Sequence, residues 1–529
     1  MAEIDRLDDV TLEAELNGLY DYENVEVPKL PVEERLSGFP EIIEGYSEAE
    51  ALLEARRCLQ CQDPPCVKTC PAHLDIPGYI QKIVEGDLKQ GLQIIMDTYP
   101  LPGTCGRICF HPCVDVCLKG VKGQSIEIPR LRRYITDRVD QRELDYRIPE
   151  PNGLQVALIG SGPASLAAAY HLTRWGYKTV VYEKDEKPGG TLNILPEYRL
   201  PHRVLREEIA ILEWLGVEIR TGEPIGGDGC IDRLLEAYDA VFIAVGAVGS
   251  WKFNIPGADL AGSITGLDYL HAVEQNEPAP GDRVAIIGGG DVAMDTLRTA
   301  LRQGKEIHFV YRRTPEQMPS TAAEVVELGE EVTQEELHHT GQVFAQQKRT
   351  ELLERLTERM ERLTDERRRT VAKEVAWALK SEVFSRLGQD RGWLTIHFLT
   401  QPIKILGDER ERVTGMECLG MELGEPDESG RRKPIPIEGS EFIIPADTVV
   451  FAIGQNVESG WLGADSGVET KKWGEIIVDE ETGETFRPGV YAGGDAVRGP
   501  SSMIEVIADG NRAARAIDRA LRAGREESR

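Results

Sequence analysis

Two separate stretches of this chain combine an apolar strand, a glycine-rich turn and a helix, and this repeated pattern constrains the fold most. In the first, a strand at 155–159 runs into the turn GSGPAS (160–165) and a helix at 164–175. In the second, a strand at 283–287 runs into GGGDVA (288–293) and a helix at 294–303. Small turn residues let a pyrophosphate approach the positive end of the following helix. The chain is therefore predicted to be α/β, with two Rossmann-like dinucleotide-binding domains.

The residues that end the second strand differ between the two sites. The strand at 179–182 ends at Glu183, whose carboxylate can accept hydrogen bonds from ribose hydroxyls, and this site suits FAD. The strand at 307–311 runs instead into Arg312 and Arg313, which can fork onto a 2′-phosphate that an acid would repel. We predict NADPH there, with NADH possible; a solvated basic turn is the alternative.

A glycine-rich turn near the carboxyl end also fits a flavin site. A strand at 485–491 leads to AGGD (492–495), where Asp495 can bond ribityl hydroxyls or simply cap a helix, and a helix at 502–521 follows. The predicted FAD-binding residues are Gly160, Gly162, Pro163, Ala164, Glu183, Lys184, Gly190, Gly454, Gly494, Asp495 and Ser502. The predicted nicotinamide-nucleotide residues are Gly288, Gly290, Asp291, Val292, Arg312 and Arg313.

Eight of the ten cysteines lie between residues 58 and 117, in two runs. The first run reads C-x2-C-x4-C-x3-C-P and the second C-x3-C-x3-C-x3-C. A run that opens with CxxC and closes with Cys-Pro is typical of ferredoxin-style ligation, and eight thiols suit two 4Fe-4S clusters. Zinc and disulfides are the alternatives, although zinc pairs usually lack this continuation and disulfides need an oxidising compartment. The predicted metal ligands are Cys58, Cys61, Cys66, Cys70, Cys105, Cys109, Cys113 and Cys117.

The composition excludes several classes of function. The chain has 529 residues, enough for three or four domains, and its formal net charge of -29 argues against nucleic-acid binding because phosphates would be repelled. The start, MAEID, lacks the basic and apolar regions of a signal peptide. No run of about 18 apolar residues occurs, so no membrane span is predicted. Together with reduced thiols, these features predict a cytoplasmic location.

These motifs together resemble one family of flavin and iron–sulfur proteins. Its members include the small, FAD-containing subunit of NADPH-dependent glutamate synthase, the NADPH-binding subunit of the ferredoxin-dependent transhydrogenase and the N-terminal half of dihydropyrimidine dehydrogenase. The matching stretches are 58–71, 105–117, 156–165, 288–295, YRRTPEQMP (311–319) and GVYAGGDAVRGPSSMIEVIADG (489–510). The resemblance is specific because the cysteine pattern and both fingerprints occur in the family's order.

The resemblance implies a helical domain with two clusters, followed by a glutathione-reductase-like pair of nucleotide-binding domains. The implied division is an arm (1–50), an iron–sulfur domain (51–144), an FAD domain in two parts (145–275 and 446–529) and an NAD(P)H-binding domain (276–445). Residues 330–390 form a helical insertion relative to the family. Within it Leu353, Leu356, Met360 and Leu363 repeat at 3-4-3 spacing. A hairpin packing on its own domain and a docking surface for a partner subunit both remain open.

The resemblance also implies how the cysteines are shared between the clusters. Cys58, Cys61, Cys66 and Cys117 hold one cluster, whereas Cys70, Cys109 and Cys113 give three ligands to the other. The family completes the second cluster with a Glu or Gln, but here that position is Arg132, which cannot ligate iron. Cys105, Glu127 or an open iron site are the alternatives.

The predicted function is a subunit that moves electrons between NADPH and a partner protein through FAD and two 4Fe-4S clusters. The partner is expected to be an electron-accepting or electron-donating subunit of a hetero-oligomeric complex, or ferredoxin. A glutamate synthase small chain proper and an NADPH–ferredoxin oxidoreductase running toward NADP reduction are alternatives. A dithiol–disulfide reductase is a weaker alternative, because Cys230 and Cys418 are isolated in the sequence.

Overall fold

The amino-terminal segment lies across later parts of the chain. The computed structural model describes residues 23–121, 123–277, 281–333, 380, 393–426, 432–463 and 465–527. After an extended stretch comes one short helix, Val32–Leu36. The N–H of Ile42 donates to the carbonyl of Tyr198 at 3.1 Å, and the buried Arg35 pairs with Glu330 at 2.6 Å. The segment is thereby tied to both nucleotide-binding parts of the protein.

Short helices with defined caps make up the part of the chain that carries the cysteines. Ser47 and Glu50 form a reciprocal capping box, Asp75 and Asp87 cap two further helices, and prolines begin several others, where a missing N–H costs nothing. The helices are Glu48–Arg56, Pro65–Thr69, Ile76–Val84, Leu88–Thr98, Pro102–Ile108, Pro112–Asp115 and Ile128–Thr136. None of the described helices combines the length and the apolar run that crossing a membrane requires.

The first nucleotide-binding part is built on a parallel five-stranded sheet. In spatial order its strands are Val490–Ala492, Ala240–Ile243, Gln155–Ile159, Lys178–Tyr182 and Glu218–Arg220. Its helices include the first fingerprint helix (Pro163–Arg174), His202–Leu215, Cys230–Ala237 and the C-terminal helix (Met503–Glu527). The edge strand near the carboxyl end therefore completes a sheet begun more than 300 residues earlier, which is how a split domain closes.

The second part has its own parallel sheet with an antiparallel layer added. Its strands are, in spatial order, Ser263–Thr265, Thr448–Phe451, Arg283–Ile287, Glu306–Tyr311 and Leu394–Phe398. The added strands are Thr400–Gly407, Val413–Pro426, Arg432–Pro436 and Phe442–Pro445. The helices are Gly266–Glu274, the second fingerprint helix (Asp291–Arg302) and the acidic helix (Ala322–Thr333). The chain passes between the two sheets twice. At these two passages, strand Gly249–Ser250 pairs antiparallel with strand Gln455–Asn456.

Several predicted elements differ from the observed ones in their limits. The second fingerprint helix begins at Asp291 rather than at 294. The predicted strand at 485–491 is confined to Val490–Ala492 because the chain turns back at Pro488-Gly489, with Thr485 N–H donating to the Val490 carbonyl at 2.8 Å. Strands Ser263–Thr265 and Thr448–Phe451 lie in stretches that the predicted boundaries assigned to the FAD domain, yet both belong to the second sheet. The leucine stripe at 353–363 lies outside the described residues.

The cysteine-bearing helices and the first sheet share one continuous hydrophobic core. Tyr170, on the first fingerprint helix, donates its hydroxyl to the Met96 carbonyl at 2.7 Å, and Asn511, on the C-terminal helix, donates to the Thr98 carbonyl at 2.9 Å. The buried Glu208 carboxyl accepts from the N–H groups of Gly103 and Thr104 at 2.5 and 3.0 Å. Burial raises the pKa of Glu208 to about 7 despite these donors. The cysteine-bearing domain and the first nucleotide-binding domain therefore share one packed interface.

Candidate functional site

A cleft of about 860 Å³ opens at the carboxyl ends of the first sheet's strands, where open α/β sheets bind ligands. We call it the FAD cleft. Nine of the predicted FAD-binding residues line it: Gly160, Gly162, Pro163, Ala164, Glu183, Lys184, Gly190, Gly494 and Asp495. The two others are not among its lining residues: Gly454 accepts a hydrogen bond from Trp251 N–H at 3.0 Å, and Ser502 bonds Glu505 one turn into the C-terminal helix. Their roles stay predictions.

Glycine occupies the two fingerprint positions of the first turn for two different structural reasons. Gly160 has φ +89°, and a Cβ there would come within 2.5 Å of the Ala244 carbonyl oxygen, so the turn itself demands glycine. Gly162 has φ −66° and no atom within 4 Å of an added Cβ. The space beside Gly162 is thus open toward the cleft and available to a phosphate group, as the fingerprint predicts.

Glu183 is buried at the end of its strand and holds the turn in place. Its carboxylate accepts hydrogen bonds from the N–H and the hydroxyl of Ser161 and from the N–H of Asp185 at 3.0 Å. The Ser161 hydroxyl oxygen in turn accepts from Gly189 N–H at 2.8 Å. The predicted ribose acceptor is therefore preorganised by the same turn that would bind the pyrophosphate.

Asp495 also lines the cleft, next to the first fingerprint helix. Its carboxylate accepts from the N–H and hydroxyl of Ser501 at 3.0 and 2.8 Å, and burial raises its pKa to about 6. The preceding Gly494 has φ +68°, a conformation that favours glycine. Its N–H donates to Asp509 at 3.1 Å, and Asp509 also binds Arg498 at 2.6 Å. The loop that carries Asp495 is thereby fixed on the C-terminal helix.

Further residues line the cleft that were not predicted from the motifs. They include Tyr182, Thr191, Ile194, Ala244, Val245, Gly246, Leu267, His271, Glu458 and Trp461. Residues 244–246 follow a parallel strand, so the rule that ligands bind at carboxyl strand ends could have identified them. Leu267 and His271 belong to a helix of the second domain, and no local signal points to them. The indole N–H of Trp461 is buried without a hydrogen-bond partner in the described structure.

The second fingerprint turn also has the geometry that a dinucleotide site needs. Gly288 has φ +145°, and a Cβ there would lie 2.1 Å from the Ala452 carbonyl oxygen. Gly290 precedes the second fingerprint helix, and Asp291 and Val292 are its first residues. Gly289 accepts a hydrogen bond from Ser320 N–H at 3.0 Å, so residues 318–321 lie beside the turn. Glycine is required at the first position by backbone contact alone.

The two arginines that follow strand Glu306–Tyr311 lie in different environments. Arg312 is exposed. Arg313 is buried, and its Nε donates to the Arg432 carbonyl at 2.9 Å, toward the antiparallel layer. The pairing of both arginines with a 2′-phosphate stays a prediction.

Four of the cysteines surround one small apolar cavity, and we call them the first thiol group. They are Cys58, Cys61, Cys66 and Cys117. Burial raises the pKa of Cys58 to about 11 and that of Cys66 to about 12, and the neighbouring Cys117 adds to both shifts. Thiols from two distant runs thus converge on one point, in the set that the resemblance implied.

The other four cysteines form a second thiol group around a buried arginine. Its members, all buried, are Cys70, Cys105, Cys109 and Cys113. Arg132 is the common positive neighbour of all four thiols. Cys113 also neighbours Cys66 of the first thiol group, and the buried Tyr79 lies beside both groups. The two groups are therefore adjacent within one core.

The residues present fit FAD and two 4Fe-4S clusters. The FAD cleft has the size and the polar ends of a large cofactor site. Each thiol group supplies four thiols, the number of ligands that a 4Fe-4S cluster takes. All ten cysteines are unpaired. Within the described part of the chain, no three His, Cys, Asp or Glu side chains are arranged to hold a single metal ion.

Two family models match the chain over most of its length. The model described as dihydropyrimidine dehydrogenase domain II, 4Fe-4S cluster, matches residues 35–144. The model described as pyridine nucleotide-disulphide oxidoreductase matches residues 154–379 and 394–514. Together they span both thiol groups, the FAD cleft and the second fingerprint, and they confirm the predicted fold class.

Curated relatives include subunits of several oxidoreductases. The chain is 36% identical to the NADP(+)-dependent formate dehydrogenase subunit beta of Moorella thermoacetica, over 87% of this chain and 60% of that one. It is 32% identical to the NADPH-Fe(3+) oxidoreductase subunit beta of Geobacter sulfurreducens, covering 87% and 64%. It is also 32% identical to the NADPH glutamate synthase small chain of Escherichia coli, covering 94% and 97%. The chain thus spans about three fifths of the first two relatives and nearly all of the third.

A solved structure shares the fold of the nucleotide-binding parts. FprA of Mycobacterium tuberculosis, solved in complex with NADPH, superposes with a TM-score of 0.54 over 72% of this chain and 86% of that chain. The two sequences are 22% identical. At that identity the likeness shows the arrangement of the two sheets and no more.

Proposed function

The chain belongs to the pyridine nucleotide-disulphide oxidoreductase family, in the branch of the NADPH glutamate synthase small chain, and from this premise we propose that it moves electrons between NADPH and a partner protein. The family makes it an NAD(P)H-dependent oxidoreductase with FAD and 4Fe-4S centres. One observation carries the proposal: seven of the eight clustered cysteines pack in the same hydrophobic core as the first fingerprint helix and the C-terminal helix, and both of these helices border the FAD cleft.

The residues of the chain bind and orient the cofactors rather than take part in bond chemistry. Gly160, Gly162 and the first fingerprint helix receive the pyrophosphate of FAD, and Glu183 and Asp495 accept from its hydroxyls. FAD, when bound, exchanges a hydride with a nicotinamide on one side and single electrons with iron–sulfur clusters on the other. The two adjacent thiol groups would hold those clusters.

The partner is proposed to be another redox subunit. Relatives named as beta subunits or small chains support a place in a hetero-oligomeric complex. Flow from NADPH to the partner, and the reverse flow from reduced ferredoxin to NADP, use the same residues. We also propose a cytoplasmic location, because the eight clustered thiols need a reducing compartment.

Spectroscopy of the anaerobically purified chain tests the proposal. We expect a broad iron–sulfur absorbance beneath the flavin bands, about eight iron atoms per chain, and bleaching of both chromophores when NADPH is added. Flavin without iron would support the dithiol reductase instead. Against that alternative, Cys230 and Cys418 are buried in two different hydrophobic clusters, and neither lines the FAD cleft.

Arg312→Glu should raise the KM for NADPH by about tenfold or more, because a charge-assisted contact to the 2′-phosphate would be replaced by repulsion. The KM for NADH should change little, since NADH lacks that phosphate. Steady-state dye reduction with both nucleotides measures the two values. Arg410→Glu, an exposed arginine in the same domain, is the matched control; an equal loss for NADPH and NADH in Arg312→Glu would contradict the assignment.

A further inference from the structure

The second thiol group contains one more thiol than the three that the resemblance assigned to its cluster. Cys105 and Cys109 lie one turn apart, on the Pro102–Ile108 helix and at its C-cap. Their side chains are hydrogen-bonded to each other, and the Cys105 side chain is completely buried. Two thiols at this spacing on one helical face can reach the same cluster.

Arg132 reaches this group from the Ile128–Thr136 helix and is 4% exposed. Its Nη1 donates to the Tyr99 hydroxyl at 2.8 Å and its Nη2 to the Cys105 carbonyl at 2.6 Å. Among the described residues, its Nε has no hydrogen-bond partner and its guanidinium forms no ion pair with a carboxylate. A permanently charged group buried in this way requires a nearby negative charge.

Glu127, the other candidate ligand, is hydrogen-bonded to residues outside the second thiol group. Its Oε1 accepts from the Asn24 side-chain amide at 2.7 Å, and its N–H donates to Glu54 at 2.8 Å. Its charged neighbours include Arg130, Arg57, Lys29 and Glu54, and Glu127 is not among the main charged neighbours of the four thiols of the second group. The carboxylate therefore faces the amino-terminal segment and not the second thiol group.

We infer that Cys105 is the fourth ligand of the second cluster, with Cys70, Cys109 and Cys113, and that Arg132 supplies the counter-charge. The inference rests on the proposed function, in which this group holds a 4Fe-4S cluster. Each thiol gives up its proton to solvent as its iron–sulfur bond forms. Four thiolates leave the cluster with net negative charge, and each added electron increases it. Arg132 stabilises the more negative, reduced form and so raises the reduction potential.

Iron content of the full chain tests the ligand. Cys105→Ala should lose about half of the iron of the wild type, from about eight to about four atoms per chain, or convert one cluster to a three-iron form in EPR spectra. Cys418→Ala, which removes an equally buried thiol in another domain, should keep all of it. Two unchanged clusters in Cys105→Ala would overturn the inference. Wild-type protein without iron would instead overturn the proposed function.

The reduction potentials of the clusters in Arg132 variants test the counter-charge. This measurement does not depend on whether the Cys105→Ala variant is stable. In Arg132→Met, an EPR-monitored redox titration should place one cluster at a more negative potential and leave the other unchanged. Arg132→Lys should recover most of the difference because it keeps the charge. A purely structural role of Arg132 predicts no difference between the Lys and Met variants in potential, and that result would refute the charge compensation.

Discussion

Gly162→Ala should yield a folded protein that binds FAD less tightly. An added Cβ at Gly162 meets no atom within 4 Å, and the backbone there is extended, so alanine fits the polypeptide without strain. The same Cβ would occupy the space through which the pyrophosphate approaches the first fingerprint helix. We expect FAD affinity to fall by about tenfold or more, with thermal stability of the FAD-free protein unchanged.

Two further glycine variants separate ligand effects from folding effects. Gly160→Ala places a Cβ 2.5 Å from the Ala244 carbonyl oxygen at φ +89°, so both folding and FAD binding should suffer. Gly524→Ala, on the exposed end of the C-terminal helix, should affect neither. Flavin content after purification and FAD titration of the stripped protein measure the affinity. Wild-type affinity in Gly162→Ala would show that the pyrophosphate does not bind at this turn.

Arg298→Met should destabilise the second domain by about 3 to 5 kcal/mol, because it removes the one cation that three carboxylates of the acidic helix share. Arg298 is completely buried between the second fingerprint helix and the acidic helix. Its guanidinium pairs with Glu324 at 2.6 Å, Glu327 at 2.9 Å and Glu331 at 2.7 Å. Burial raises the pKa of Glu331, but Arg298 and Arg302 outweigh it and lower that pKa to about 2.

This network also ties other segments to the second domain. Arg199, from the FAD domain, binds Asp295 at 2.7 Å and Glu324 at 3.0 Å, and Arg35 of the amino-terminal segment binds Glu330. Loss of Arg298 should therefore lower the urea midpoint of the transition that releases the second domain. It should also make the fluorescence of bound FAD more sensitive to urea, since Leu267 and His271 of that domain line the FAD cleft.

The control for Arg298→Met is an ion pair on the surface. Arg203 and Glu207 are 3.1 Å apart with side chains 67% and 62% exposed, so Arg203→Met should cost less than about 1 kcal/mol. The double variant Arg298→Met/Glu327→Leu should recover part of the loss, because among the described residues Glu327 forms an ion pair with Arg298 alone, whereas Glu331 keeps Arg302. A cost below about 1 kcal/mol for Arg298→Met would mean that water or a counter-ion reaches the network.

Local patterns were sufficient to predict the parts of the site that lie within one strand–turn–helix unit. Gly160, Gly162 and Glu183 were predicted from spacing alone, and the structure brings them together in the FAD cleft. The first thiol group, implied by resemblance, surrounds one cavity as expected. Such predictions succeed because each motif is short and its backbone geometry leaves few alternatives for the residues at its key positions.

Contacts between distant segments could not be predicted in this way. Strand Ser263–Thr265 joins the second sheet although the predicted boundary places it in the FAD domain. The choice between Cys105 and Glu127 depends on which way two neighbouring helices face, and Arg298 meets its carboxylates only through packing of the acidic helix. A pattern within one element carries no information about which other element lies against it.

The sequence by itself determined that the chain has two dinucleotide-binding turns and a cysteine-rich segment, because glycine, thiol and strand-end positions are prescribed by local backbone and ligand chemistry. Only the tertiary structure decided that Arg132 lies among the second thiol group, that helix Gly266–Glu274 closes the FAD cleft, and that a buried ion network joins three segments of the chain. These features arise from burial of charges and side chains across long sequence separations, where the free energy depends on the complete packed environment.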